Sequence, residues 1–515
     1  MRKSAVKYAR NGSLIVAALA VGIGASASML ALQQDKPAQA AENAGRPFQI
    51  GVNVSSSVYY NSERIFANLA QGAGGWRDPG AGWGGMAAGK LDARGYPLAS
   101  GVMPINVPQP VWGGKDVPVV CKWAGRGVVR IDGDARTMSV GHSVSFTWRG
   151  KRGPGRPSIF VYMSGSDPRD PFRDLDCHEP GLVANGQFDQ RYVDDMKQFR
   201  VLRFLDWSNT NGNPASVTWA NRTTPTKPGQ DGVALEHMID LANATGADPW
   251  FTVAYNADET YIRNAAKMVH DRLNPKQRAY FELSNEIWNF QFPVARQALN
   301  EGVAEILSTD TYTNGLVRYA EKSIWMHKML TEAFADDPSR LVRVVSSQND
   351  NSFTARTIMK FRDTAQWVDA LATAPYFGHG FFKAPFDKAT VADLPALFTR
   401  LEEQRANSIA KALENKAVAD KYGKRYITYE AGQHIVVPAG PLMPVMEAMQ
   451  RSPQMGEAYD RFIADWRAKF GDTLTLYSAT GTISQYGAWG MREYAGQPLS
   501  QTPKRRAVLE AISAR

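Results

Sequence analysis

From about residue 200 onward, short apolar runs alternate with longer amphipathic stretches. The runs are "VLRFLDW" (201–207), "PWFTVAY" (249–255), "AYFELSN" (279–285), "LVRVVSS" (341–347), "VDALATAPY" (368–376), "RYITYEA" (425–431) and "LTLYSAT" (474–480). Between them lie helical patterns, among them "VALEHMIDLANATG" (233–246), which closes on a glycine stop, and the long stretch 395–423. Strands that alternate with helices predict a parallel sheet with helices outside it. An eighth run, "FQIGVNVSS" (48–56), completes the set, with a first helix expected in "SERIFANLAQG" (62–72). The predicted fold is α/β: a (β/α)8 TIM barrel.

Between the first and second of these strands the pattern changes period. A glycine-rich loop (72–89) leads into short alternating runs, "VPVVCKW", "GVVRIDG", "TMSVGHSVSFTW" and "SIFVYMSG", separated by turn residues. Period-two alternation predicts an inserted antiparallel β-sandwich-like module. The expected organisation is therefore a barrel from 41–72 and 195–500, an inserted loop and β-rich module at 73–194, and a C-terminal tail at 501–515. Trp112, Trp123 and Trp148 are expected in the core of the insertion, since a small module needs large residues inside, with a sugar-binding face as the competing reading. Cys121 and Cys177 both fall in this segment, and pairing and two buried thiols stand as equal alternatives.

Residues 1–40 read as a targeting segment. Arg2, Lys3, Lys7 and Arg10 precede an apolar stretch from Leu14 to Leu32, and Ala38-Gln39-Ala40 fits a small-x-small cleavage site. Export to the periplasm or the exterior is expected, with an uncleaved membrane anchor as the alternative. The formal net charge is +9, of which +4 lies in residues 1–40. The remaining charge is diffuse, and "KRR" (504–506) is an ordinary basic surface run on this reading. Nucleic acid is not expected as a partner. No metal or cofactor is called for: two cysteines cannot build a zinc site, and the seven histidines show no HExxH spacing.

In a barrel, chemistry collects where strands end at the C-terminal mouth. The polar residues at those ends are Arg203, Asp206 and Trp207; Tyr255 and Asn256; Asn285 and Glu286; Tyr376 and then His379; Glu430 and then His434; and Trp489 after the last strand. Glu286 and Glu430 each close an apolar run, on strands facing one another across the mouth. Paired carboxylates so placed are what glycoside hydrolysis needs, one to protonate the leaving oxygen and one to attack the anomeric carbon. For either residue taken alone, a solvated Glu in a helix's first turn is the competing reading. Trp207 and Trp288 are expected more as core than as sugar platform, and Asp206 as a ligand or a structural cap. An esterase is disfavoured, since no GxSxG-type elbow is present.

"ELSNE", "ITYEAG", "RF" at the second strand, "APYF" and a Trp after the last strand together resemble clan A of the retaining glycoside hydrolases. The resemblance covers about 48–56 and 195–500. "VLRFLDWSNTN", "ANATGADPWF" and "ELSNEIWN" are similar to exported bacterial proteins loosely labelled cellulose-binding. The resemblance implies that Glu286 is acid/base, that Glu430 is nucleophile and that Asn285 holds the sugar 2-hydroxyl. Arg203 and Tyr376 would support Glu430, and Trp489 would floor the cleaved sugar. The chain departs from the clan at the third strand, where Tyr255-Asn256 stands in place of a frequent His. His379 and His434 approach that space from the other side. The implied partner is a β-linked polysaccharide, acted on by an enzyme or, alternatively, held by a non-catalytic binding protein on the same scaffold.

Overall fold

The computed structural model describes residues 47–81, 85–105, 115–133, 135–148, 159–437 and 440–514. Its first strand, β1 (Ile50–Asn53), is buried along its whole length. Seven strands follow: β2 (Gly101–Ile105), β3 (Val117–Ala124), β4 (Val128–Gly133), β5 (Thr137–Met138), β6 (Ser143–Trp148), β7 (Ile159–Ser164) and β8 (Arg173–His178). They form two antiparallel sheets, ordered β2-β7-β4-β5 and β6-β3-β8. Burial alternates residue by residue along β6 and β7, so each strand turns one face inward. Those inward faces share a core with Trp123, Trp148, Phe172 and Val161. Trp112 and the targeting segment lie outside the described residues. Cys121 and Cys177 sit opposite one another on β3 and β8 and are joined by a disulfide.

A hairpin, β9 (Ala184–Asn185) and β10 (Phe188–Asp189), returns the chain to α1 (Gln190–Met196), whose N-terminus Asp189 caps. The remaining barrel strands are β11 (Val201–Arg203), β12 (Asp248–Val253), β13 (Ala279–Leu283), β14 (Leu341–Ser346), β15 (Ala370–Thr373), β17 (Arg425–Thr428) and β19 (Leu474–Leu476). The short strands β16 (Tyr376–Phe377) and β18 (Gly432–Gln433) lie between them in sequence. The eight long strands pair in parallel as β17-β15-β14-β13-β12-β11-β1-β19. Hydrogen bonds across the remaining seam close the ring: the Thr428 N–H donates to the Thr473 carbonyl at 3.1 Å, and the Thr428 hydroxyl to Thr475 at 3.0 Å. Being covered on both faces, these strands are apolar on successive residues rather than alternating.

The helices are α2 (Leu205–Ser208), α3 (Leu235–Thr245), α4 (Glu259–Arg272), α5 (Pro293–Ala304), α6 (Thr311–Ala333), α7 (Ser352–Lys360), α8 (Leu394–Lys421), α9 (Met443–Arg451), α10 (Pro453–Lys469) and α11 (Pro503–Ser513). The glycine stop of α3 is Gly246, at φ +72°, a conformation that costs a glycine least.

The helix expected at 62–72 does not form. Its backbone donors find partners elsewhere: Ala67 bonds to Gln187 and Leu69 to Cys177, while Ile65 accepts from Asp189. The local apolar pattern fits a helix, but Phe66 and Leu69 are buried in two different cores, one under the barrel and one in the antiparallel sheets. An irregular segment of bends and turns serves both, and the helix leading into β11 is α1. The segment expected as a tail carries α11, packed against α10, with Lys504 buried. Among the described residues, no helix is long and apolar enough to cross a membrane.

Candidate active site

The hub of the mouth is Arg203, the last residue of β11, which is fully buried. A guanidinium without water must find acceptors for its five N–H groups. Here Nε and Nη2 donate to Glu282 Oε2 at 3.1 and 3.0 Å, Nη2 also to Asn285 Oδ1 at 3.0 Å, and Nη1 to Asn53 Oδ1 and Glu430 Oε1 at 2.9 and 2.8 Å. Burial pulls the guanidinium pKa down, but Glu282 and Glu430 more than offset this, and the net shift is upward. Glu282 also accepts from Trp250 Nε1 at 3.0 Å and has no exposure at all. The fork of one arginine thus joins four acceptors, from β1, β13 and the loops after β13 and β17.

Glu430 lies two residues beyond β17. Its Oε2 accepts from the Tyr376 hydroxyl at 2.8 Å, and its Oε1 accepts from Arg203. The small parallel pair β16–β18 sets Tyr376 opposite Gly432, which brings the phenol to the carboxylate. Burial and the negative charge of Glu286 push the Glu430 carboxyl up to about 7, against the pull of Arg203 and Tyr376. The two carboxylates therefore lie close enough to repel one another.

Glu286 is held differently. The chain leaves β13 through Ser284 at φ +58° and Glu286 itself at φ +39°. Two non-glycine residues in the left-handed region within three positions cost roughly 1–3 kcal/mol each. The tight exit buries Asn285 and leaves Glu286 half-buried. Glu286 Oε1 accepts from the Tyr429 hydroxyl at 2.9 Å and Oε2 from Asn289 Nδ2 at 2.9 Å; among the described residues, no cation bonds it. Asn285 is locked at both ends of its amide, accepting from Arg203 and donating to Asn211 at 3.0 Å.

The other sequence-marked residues divide. Asp206 follows β11 at the mouth; burial pushes its carboxyl up to about 6 against the pull of Arg203. Tyr477, at the end of β19, faces Asp206, Glu430 and Glu286, and that negative field, with burial, holds its phenol well above the ordinary value. His434 sits among Tyr376, His379 and Trp489, with ring centroids 5.0, 5.4 and 5.4 Å away. The Trp489 Nε1 and His434 Nδ1 atoms are buried and have no hydrogen-bond partner among the described residues. Trp288 is buried, its ring against Tyr429, and Trp207 is core, donating to the Ser55 carbonyl. Tyr255 and Asn256 bond to Glu301 and Gln297 rather than to either carboxylate of the pair.

Sequence reading passed over Asn53, Glu282, Tyr429, Tyr477 and Asn289. Glu282 and Tyr429 sit inside apolar runs, where a single polar residue gives no signal of direction. Their proximity to Glu286 and Glu430 in the chain was the available clue.

The loop carrying Trp489 is anchored from behind. The carbonyl of Ala488 accepts from Gln433 Nε2 at 2.7 Å and from Lys504 Nζ at 2.6 Å, and Lys504 also donates to Gln450 Oε1 at 2.9 Å. Burial lowers the Lys504 ammonium to about 7, with Glu493 opposing. Between pH 7 and 8 the unfolded chain holds a proton on this lysine that the folded chain has released, so stability rises with pH there. Urea titrations of wild type are expected to gain about 1 kcal/mol over that interval from this group, and Lys504→Met is expected to remove the gain.

No family model and no curated protein matches the sequence. Among solved structures, the chain is similar to the GH51 arabinofuranosidase of Xanthomonas axonopodis pv. citri, at 11% identity and TM-score 0.40, covering 59% of this chain and 63% of that one. It is similar to Xylanase10C of Cellvibrio japonicus, at 10% identity and TM-score 0.37, covering 87% and 99%. It is also similar to the beta-glucosidase of Thermotoga maritima, at 11% identity and TM-score 0.33, covering 65% and 90%. The chain spans less than two thirds of the arabinofuranosidase's length.

Proposed function

We propose that this chain is an exported retaining glycoside hydrolase acting on a β-linked polysaccharide, with Glu430 as nucleophile and Glu286 as acid/base. The observation that carries the reading is the unequal wiring of two mutually repelling carboxylates at one barrel mouth. Glu430 meets a buried guanidinium and a phenol, both of which favour its anion. Among the described residues Glu286 meets only neutral donors, and it is half-buried. Of the two carboxylates, Glu430 is the one that Arg203 bonds.

On this reading Glu430 attacks the anomeric carbon while Glu286 gives its proton to the departing glycosidic oxygen. Glu286, then a carboxylate, takes a proton from water, which displaces Glu430 from the sugar with retained configuration. Asn285, its amide held by Arg203 and Asn211, keeps one N–H to offer the 2-hydroxyl. Trp489 and His434 form one wall, and their unpaired nitrogens are donors or acceptors for sugar hydroxyls. Export rests on the reading of residues 1–40. The two antiparallel sheets are taken as an inserted module whose Trp123 and Trp148 serve packing rather than sugar binding.

The test is release of reducing ends from soluble β-glucan, xylan and mannan by purified protein. Glu286→Gln is expected to lower kcat by roughly 10²–10⁴-fold. NMR of the first-formed anomer is expected to show retention; an inverted product would sink the nucleophile assignment. If wild type and variants bind polymer equally and none cleaves it, the protein is a binding module.

A further inference from the structure

The loop that carries Glu286 does not end at the acid. Asn289, which donates to Glu286, is followed at once by Phe290, a large apolar residue left 38% exposed. The Phe290 ring meets Tyr312 at 6.4 Å between centroids, and Tyr312 meets Phe353 at 6.5 Å with the ring planes 25° apart. Phe353 is 40% exposed. The three residues come from different places in the chain: the loop between β13 and α5, the first turn of α6 and the first turn of α7. Each of these lies on the C-terminal side of the barrel, where the strands open. Tyr312 packs on the barrel core and so anchors the middle of the row, leaving the outer rings facing solvent.

Helix first turns do not need aromatic residues. Asp310 already caps α6, and Asn351 caps α7. Exposed aromatic rings that touch in series form an apolar strip with a cost in water, which a ligand with flat apolar faces relieves. Sugar rings present such faces, with hydroxyls around their edges, and the exposed polar residues Gln291 and Asp350 stand close in the chain to Phe290 and Phe353.

Resting on the reading of Glu286 as the acid, we propose that Phe290, Tyr312 and Phe353 form a polysaccharide-binding strip on the leaving-group side of the cleavage site. The acid must face the departing oxygen, so residues continuing outward from its loop lie beside the departing part of the chain. A strip of three rings binds several sugar units beyond the cleaved bond, which makes the substrate a polymer cut internally rather than a disaccharide trimmed at its end.

The test is affinity electrophoresis of the full chain carrying Glu286→Gln, in gels containing barley β-glucan, glucuronoxylan or galactomannan. Adding Phe290→Ala and Phe353→Ala is expected to weaken retardation at least tenfold in whichever glycan retards the parent. Thermal midpoints are expected to stay unchanged, and Met138→Ala in the antiparallel sheets serves as a surface control. Equal retardation with and without the two rings overturns the proposal, as does absence of retardation in all three glycans. A shift from dimer to monomer on sedimentation, with glycan affinity intact, would reassign the strip to self-association. Binding that depends on the rings, in a wild type that cleaves nothing, would leave the strip standing while removing the hydrolase reading.

Discussion

Glu430→Gln is expected to stop glycan cleavage and to stabilise the protein at the same time. On the proposed reading the change removes the nucleophile and with it the covalent route, and the cost in kcat is expected to reach about 10⁴-fold or more. The stability effect has a definite sign. The folded carboxyl is raised to about 7, whereas an unfolded Glu titrates near ~4.3. Between those values the folded chain holds a proton that the unfolded chain has lost. Stability contributed by the protonated form is complete below the unfolded pKa and is lost as pH rises through the folded one. Gln keeps one oxygen to accept from Arg203, can donate its amide N–H to the Tyr376 hydroxyl, and never ionises. At pH 8 the variant is expected to exceed wild type by about 2–3 kcal/mol, and the difference is expected to close toward pH 4. Urea denaturation across that range measures it. Activity loss without this pH-dependent gain would mean that Glu430 carries no strained charge in the resting site.

Arg203→Met is expected to be the most damaging single change to the fold near the mouth. Arg203 and Glu282 are both fully buried, and Glu430 is 6% exposed. Removing the cation leaves two buried carboxylates without a counter-charge, a loss of about 3–5 kcal/mol. Asn53 and Asn285 lose a donor in the same step. Arg203→Lys is expected to recover only part of the loss, because a lysine's single ammonium, with three donors, cannot reach all four acceptors. The double variant Arg203→Met/Glu282→Leu is expected to regain stability over Arg203→Met alone. If Arg203→Met unfolds at the wild-type urea concentration, the guanidinium is not what holds this centre.

Much of the barrel was legible because both-face burial writes a continuous apolar run, and eight such runs were present. The strands proved shorter than the runs: β13 stops at Leu283 and β17 at Thr428. The residues between strand end and carboxylate are the ones that matter most for the site. Ser284 and Glu286 take left-handed conformations that no propensity favours, and Tyr429 reaches over to Glu286 from beside Glu430. Nothing local encodes either. The helix misread at 62–72 fails for the same reason, since its periodicity was real but its hydrogen-bond partners lay about a hundred residues away.

What the chain's order alone determined is the period of its elements, the place of the interruption after the first strand, and the position of Glu286 and Glu430 just past strand ends. These follow from local burial, which repeats with the geometry of strand and helix. What only the tertiary structure decided is which neighbours surround each carboxylate. The buried Arg203–Glu282 pair, the pairing of Cys121 with Cys177, the hold of Lys504 on the Trp489 loop and the ring row beyond Glu286 all join residues far apart in sequence. Closing the barrel brings them together, and electrostatics in its water-poor interior then sets the two carboxylates apart.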